Sequence, residues 1–261
     1  MFGGAFLQVI FVILCLVALY YLYKFLFSSN GLEGKSVLNT IIKANETPLT
    51  TLSSKFPAMY EGGDYSINTW IYVNDYGVNM GKNKHILSLG GDSFLTLLIY
   101  LGRYKNSLHV RVKSSDDDNS MNAGNINGIF NSVAANSDLI DVTQPCDIQS
   151  VDLQKWIQIT VSLNTKICDV YIDGKLARSC ILPSFYKVDK SNLKMTLVDK
   201  GGFGGFVSNT TAYNYALNPE QVWRMYMAGP GSQYTFWEYI KAMFDPNAAN
   251  SLSYPKMNVV G

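Results

Sequence analysis

The chain has 261 residues, a formal net charge of +1, a hydrophobic fraction of 48% and only 16% charged residues. That length accommodates one sizeable domain with an anchor, or two small domains. There is no basic excess or stripe to hold a phosphate backbone, so nucleic acid is not an expected partner.

Met1 to Tyr23 contains no charged side chain, and Gln8 is its one strongly polar residue. Phe6–Tyr23 is a run of leucine, valine, isoleucine and aromatics, close to the roughly 20 residues that a bilayer-spanning helix needs. Tyr20, Tyr21 and Tyr23, followed by Lys24, are placed as the interfacial belt at its exit. A cleaved signal peptide would have a basic start, a shorter apolar stretch and a small-residue cleavage site, none of which fits here. Residues 1–27 are therefore predicted to be a single transmembrane anchor, with the lipid bilayer as a partner. Lys24 and Lys35 follow the run, whereas only the α-amino group precedes it; excess Lys and Arg mark the cytoplasmic side, so the large domain is expected there.

Residues 28–61 read as a connector with Pro48 and Pro57, and Ser36–Ala44 has the spacing of a short helix. Gly31–Ser36 lacks the earlier glycine and the preceding strand of a phosphate-binding loop. From Asp64 the period becomes two. Leu108, Val110 and Val112 alternate with His109, Arg111 and Lys113, and Ile157–Leu163 alternates with Gln158, Thr160 and Ser162. Further strands are predicted over Tyr65–Val73, His85–Leu89, Phe94–Leu101, Ile167–Ile172, Leu176–Leu182, Leu193–Val198 and Phe203–Tyr213. Turn residues separate them, including Gly90-Gly91, Asp173-Gly174 and Gly201-Gly202, which is the punctuation of an antiparallel sandwich or barrel. Ser114–Pro145 reads as a polar loop insertion.

A closing helix is predicted after Asn218, with Pro219 in its first turn, Gln221 at the capping-box position and Gly229-Pro230 at its end. Val222, Met225 and Tyr226 would face the sheet. Residues 230–261 form a tail in which Phe236, Trp237, Ile240, Met243 and Phe244 share helical spacing. These five are the candidate contacts with a partner groove or a membrane surface; folding back onto the domain is the other reading. Trp156 and Trp223 are expected as packing residues.

At this point the residues resemble a family. Asp64–Val73 (DYSINTWIYV) is similar to the opening strand of laminin-G-like, concanavalin A-type jelly rolls. Leu153–Val161 (LQKWIQITV) followed by Asp169–Leu176 (DVYIDGKL) resembles their central strand and hairpin. Gly202–Val207 with Tyr213–Glu220 resembles their closing strand and capped helix. The match runs in order over residues 62–229. It implies an all-β, two-sheet antiparallel sandwich with one short closing helix, here preceded by a single transmembrane helix. The family often binds glycans or proteins, sometimes with calcium. Asp116–Asp118 could offer oxygen ligands to a hard cation, but a solvated acidic loop is the expectation, and no metal or cofactor is assigned.

No catalytic residues are assigned. Glycosidases on this fold need paired carboxylates, and none of the five glutamates sits near another acid on a strand. His85 and His109 fall in strands with no evident nucleophile or metal partner. The primary expectation is a non-enzymatic membrane-anchored structural protein that docks onto other proteins; its layout resembles minor capsid or internal-membrane proteins of large icosahedral DNA viruses. The alternative is a glycan-binding or adhesion module, which needs an exterior or lumenal domain; Tyr100, Tyr104 and the Asn-rich loop would then line its face.

The cysteines bear on which side the domain occupies. Cys15 lies in the apolar run, which leaves Cys146, Cys168 and Cys180. A two-residue turn at Asp173-Gly174 pairs Ile172 with Lys175, Val170 with Ala177, and Asp169 with Arg178, and it offsets the two hairpin thiols. Cys168 and Cys180 are accordingly expected to be free, as suits a reducing compartment. The triplets Asn45-Glu46-Thr47 and Asn209-Thr210-Thr211 matter only if the domain is lumenal.

Overall fold

The computed structural model describes residues 2–27, 34–114, 121–131 and 146–231. It divides into two units, Met1–Glu33 and Gly34–Gly261. In the first, α1 (Phe2–Phe27) is a helix of 26 residues. Side chains of α1 are described for Gln8 and Ile10–Leu22. Phe11 (67%), Leu14 (61%), Leu16 (62%) and Leu19 (59%) are all exposed, so the apolar surface runs round the helix and is not confined to one stripe. Among the described residues no helix is long and apolar enough to cross a membrane.

The second unit is two antiparallel sheets packed face to face. The seven-stranded sheet follows the order β1 (Lys35–Leu38), β12 (Gly204–Tyr213), β4 (Asp64–Asp75), β8 (Trp156–Asn164), β9 (Ile167–Ile172), β10 (Lys175–Ile181), with β2 (Ile42–Lys43) also on β12. The five-stranded sheet follows the order β3 (Leu49–Leu52), β11 (Lys194–Leu197), β5 (Lys84–Gly90), β6 (Leu95–Leu101), β7 (Leu108–Val112). Alternation sends Tyr65, Ile67, Ile71, Ile157, Ile159 and Val161 inward from the larger sheet. They meet Leu87, Leu89, Leu97, Ile99, Val110 and Met195 of the smaller one, all in one buried cluster. Fully burying such side chains contributes roughly 1.5–3 kcal/mol each.

Residues 35–52 are not a connector. They supply β1, β2 and β3, which extend the edges of both sheets, and the helix expected over Ser36–Ala44 is absent. These pieces are short and two of them are edges, so their exposure patterns (eeiB, ie, ieBe) lack a regular alternation. Within the expected loop insertion lies α2 (Ala123–Asn131), whose Ile126, Ile129 and Phe130 pack with Met121 on Leu98 and Tyr100. The closing helix α3 (Pro219–Ala228) forms as expected. The Asn218 side chain accepts from the Gln221 N–H, Gln221 returns the bond to the Asn218 N–H, and Val222 is buried.

The β9–β10 hairpin corrects the cysteine assignment. Asp173 (φ 49°) and Gly174 (φ 78°) make the expected two-residue turn, and Lys175 pairs with Ile172. A bulge between Leu176 and Arg178 then shifts the register, placing Arg178 against Val170, Ser179 against Asp169 and Cys180 against Cys168. The acid–base pairing of Asp169 with Arg178 is forgone, and Cys180 turns inward to form a disulfide with Cys146. Cys168 remains a free thiol, fully buried, and burial pushes its pKa up to about 12.

The bridge closes a separation of 34 residues, for which loop entropy gives about 3–4 kcal/mol of stabilisation. Cys180→Ser is expected to lower the free energy of unfolding by about that amount in urea titration. Without reductant, Cys146 and Cys180 should resist alkylation in the unfolded chain while Cys168 reacts. Alkylation of all three would remove the bridge from the fold.

Candidate functional site

The outer face of the seven-stranded sheet carries the second residue of each alternating pair: Ser66, Asn68, Trp70 and Tyr72 on β4, and Trp156, Gln158, Thr160 and Ser162 on β8. Buried polar groups there must be bonded. The Asn68 Oδ1 accepts from Gln158 Nε2 at 2.8 Å and from Thr160 Oγ1 at 2.9 Å. The Leu217 N–H donates to Ser66 Oγ and Ser162 Oγ, pinning the segment before α3 to the sheet. Val222 and Leu217 then pack on Tyr171. Trp223 rides over the hairpin turn, where a Cβ at Gly174 would lie 2.7 Å from its ring.

The helix covers this face only in part. At its C-terminal end a cleft of about 450 Å³ is lined by Trp70, Trp156, Tyr226, Met227, Gly229 and Pro230. The Tyr226 ring lies nearly parallel to Trp70 at 5.9 Å and 11°, and Tyr72 tilts against Trp156 at 5.6 Å. Trp156 and Tyr226 are half-buried, while Met227 is 67% exposed. The cleft is aromatic and carries no charged side chain. The Trp70 Nε1–H and the Gln158 Oε1, on directly paired positions, are buried and unpartnered among the described residues. Both atoms are closed to solvent, and Gln158 does not line the cleft.

The outer face of the five-stranded sheet is built differently. Its second hollow, about 240 Å³, is lined by His85, Ser88, Asp92, Lys194, Asp199 and Lys200 among others. Lys194 pairs with Asp92 and Lys200 with Asp199, so its charges are internally matched. His85 is buried against Phe130, and its Nδ1 accepts the Asp199 N–H at 3.1 Å, which leaves the neutral-ring proton on Nε2. Burial pulls its pKa down to about 4; the neighbouring Asp199 opposes the shift and Lys200 adds to it.

Further along this sheet the structure brings Ser107 and Asp147 to His109. Ser107 Oγ is 2.8 Å from His109 Nε2, and Asp147 Oδ2 is 3.0 Å from His109 Nδ1. This is the order of a nucleophile, base and orienting acid. The carboxylate, however, is held on both oxygens by the buried Arg111, and the His109 Nδ1 contact lacks hydrogen-bond alignment. Burial raises the Asp147 pKa, but His109 and Arg111 outweigh it and hold the group down at about 2. The group clamps residues 146–148 to β7, where Leu108 and Ile148 exchange backbone bonds.

The expected site residues fare unevenly. Tyr20 and Tyr21 lie exposed on α1 with their rings in edge contact; Tyr23 and Lys24 are helical in backbone, and their side chains are outside the described residues. The tail residues Phe236, Trp237, Ile240, Met243 and Phe244, and the acidic loop Asp116–Asp118, are outside the described residues. Tyr104 is exposed, but Tyr100 is buried beneath α2 and stacked on His109, so the two do not form one binding face. Of the two expected packing residues, Trp223 is 43% exposed and tilts against Tyr226, and Trp156 is half-buried, tilts against Tyr72 and lines the cleft. Trp70 is not among the expected site residues, and Tyr226, expected to face the sheet, does so against Trp70. The available signal was Trp70 on the polar side of β4, beside Asn68 and Tyr72. Among the described residues no group of three or more His, Cys, Asp or Glu side chains is placed to hold a metal ion.

No protein-family model matches the chain, and no curated protein does. Among solved structures, the ligand-binding domain of botulinum neurotoxin serotype D, in complex with N-acetylneuraminic acid, is similar over 77% of this chain with a TM-score of 0.52 and 11% identity. The binding domain of botulinum neurotoxin serotype G is similar over 76%, with a TM-score of 0.51 and 16% identity. This chain spans about half of each, 47% of their length. At such identity the likeness establishes a shared β-sandwich fold of the jelly-roll, lectin-like type.

Two titrations should be separable. The unfolded chain takes up a proton at His85 near pH 6.5, while the folded chain resists until about pH 4, so stability should fall as pH drops across that window and level off below it. The Asp147 contribution is present above about pH 4 and lost as pH falls towards 2. Melting temperature against pH reads both. His85→Asn, which keeps an acceptor for the Asp199 N–H, should flatten the first decline and leave the second; an unchanged profile would contradict the assignment.

Proposed function

We propose that the chain is a non-enzymatic, membrane-anchored glycan-binding module whose sandwich lies on the exterior or lumenal side. The observation that carries this reading is the aromatic cleft of Trp70, Trp156 and Tyr226 at the open end of α3. The apolar C–H faces of pyranoses pack on aromatic rings. The cleft carries no charged side chain, which suits a largely neutral sugar surface. The lectin-like neighbour solved with N-acetylneuraminic acid supports glycan as the ligand class.

Two further observations support the placement. The anchor rests on the sequence alone: Phe6–Tyr23 is an uncharged apolar run with a tyrosine-lysine exit, whereas the described part of its helix falls short of a span. The Cys146–Cys180 disulfide favours an oxidising compartment over the cytosol. It removes one of the two supports for a cytosolic domain and leaves only the Lys24 and Lys35 asymmetry. Docking onto a capsid-type shell rested on the tail, which is outside the described residues.

A glycan array probed with the full chain in detergent or nanodiscs tests the reading. Saturable binding to a defined set of glycans is expected, and Trp156→Ala should weaken it about tenfold or more, the ~1.4 kcal/mol of a good stacking contact. Because Trp156 is only half-buried, its melting temperature should change little. No glycan binding, or binding indifferent to Trp156, would refute the cleft.

The anchor is tested separately. The full chain should resist carbonate extraction, whereas the unit Gly34–Gly261 should be released while keeping the cooperative melting of the sandwich. Extraction of the full chain by carbonate would contradict a spanning helix.

A further inference from the structure

The chain holds two Asn-X-Thr triplets, Asn45-Glu46-Thr47 and Asn209-Thr210-Thr211, and the fold treats them in opposite ways. The first is the tip of the turn between β2 and β3, where Asn45, Glu46 and Thr47 are all exposed. Its base is fixed. Ala44 is fully buried, its N–H donates to the Gly205 carbonyl at 2.8 Å, and its carbonyl accepts from the Phe203 N–H at 3.1 Å. Above that base Glu46 pairs only with the equally exposed Lys43, and the Asn45 amide bonds to nothing among the described residues. A large group on Asn45 Nδ2 would extend into solvent without displacing a packed contact.

The second triplet sits inside β12, at the irregularity between Ser208 and Thr211, and Asn209 has φ 44°. Its Nδ2 donates to the Gly229 carbonyl at 3.4 Å, and its own carbonyl accepts from Asn68 Nδ2 at 3.4 Å. Thr210 is fully buried with its hydroxyl 2.8 Å from that of Thr69, and Ser208 Oγ donates to the Pro230 carbonyl at 2.6 Å. These bonds hold the end of α3 against the sheet. A sugar on Asn209 would break them and open the wall of the aromatic cleft.

We propose that Asn45 is an N-glycosylation site of this protein and that Asn209 is not. The proposal rests on the reading that the sandwich is lumenal or exterior, because only there does it meet a lipid-linked oligosaccharide diphosphate. In the transfer, a bond forms between Asn45 Nδ2 and the anomeric carbon of the sugar. The bond from that carbon to the diphosphate oxygen breaks, and the amide proton leaves to the diphosphate side. The exposed turn gives the transferase an accessible acceptor, and the rigid base keeps the modified loop from disturbing the sheet edge.

The full chain translated into microsomal membranes tests this with two readouts, protection of the sandwich from added protease and mobility with and without endoglycosidase. A protected domain with one glycosidase-sensitive step, lost in Asn45→Gln and kept in Asn209→Gln, is the expected result. A protected domain with no such step, or with a step lost only in Asn209→Gln, overturns the proposal while the lumenal reading stands. Digestion of the sandwich by added protease overturns the lumenal reading, and the proposal falls with it.

Discussion

Everything at the candidate site depends on how α3 covers the outer face of the larger sheet. That face holds Asn68, Gln158, Thr160 and Ser162, polar side chains that lose free energy when buried without partners. The capped start of α3 solves half of the problem: Asn218 and Gln221 fix its first turn, Leu217 bonds to Ser66 and Ser162, and Val222 seals the amides beneath. A helix of ten residues cannot cover the rest. Beyond it the sheet presents tryptophan and tyrosine in place of amides, and the aromatic cleft is the uncovered remainder.

Much of the sandwich was legible because alternation survives in long central strands. β4 and β8, paired without interruption from Asp64–Asn164 to Tyr72–Trp156, declare their inner and outer faces residue by residue. The capped helix was legible for a local reason, since Asn218, Pro219 and Gln221 act on their own backbone neighbours. β1, β2 and β3 were not, because strands of two to four residues at a sheet edge draw their stability from partners far along the chain. α2 carried the signal in Ile126, Ile129 and Phe130, hidden within an otherwise polar stretch.

The hairpin shows where local rules stop. Turn chemistry at Asp173-Gly174 set the first pair correctly, but one extra residue at Ala177 reversed every face beyond it. What selects the bulge lies outside the hairpin: Cys146, which takes Cys180 into the core. The site residues were hard to read for a related reason. Trp70 and Tyr226 are 156 positions apart, and only the docking of α3 makes them one wall. The same disulfide is what the proposed exterior placement draws on, since such bridges persist in oxidising compartments.

The cleft makes the central claim, and its own tryptophans can report on it. Indole N–H resonances of the isotopically labelled chain would be followed while methyl pyranosides are titrated in. The account predicts saturable shifts of the Trp70 and Trp156 signals. Saturable binding that leaves both Trp70 and Trp156 unshifted, or no binding by any pyranoside, would contradict it.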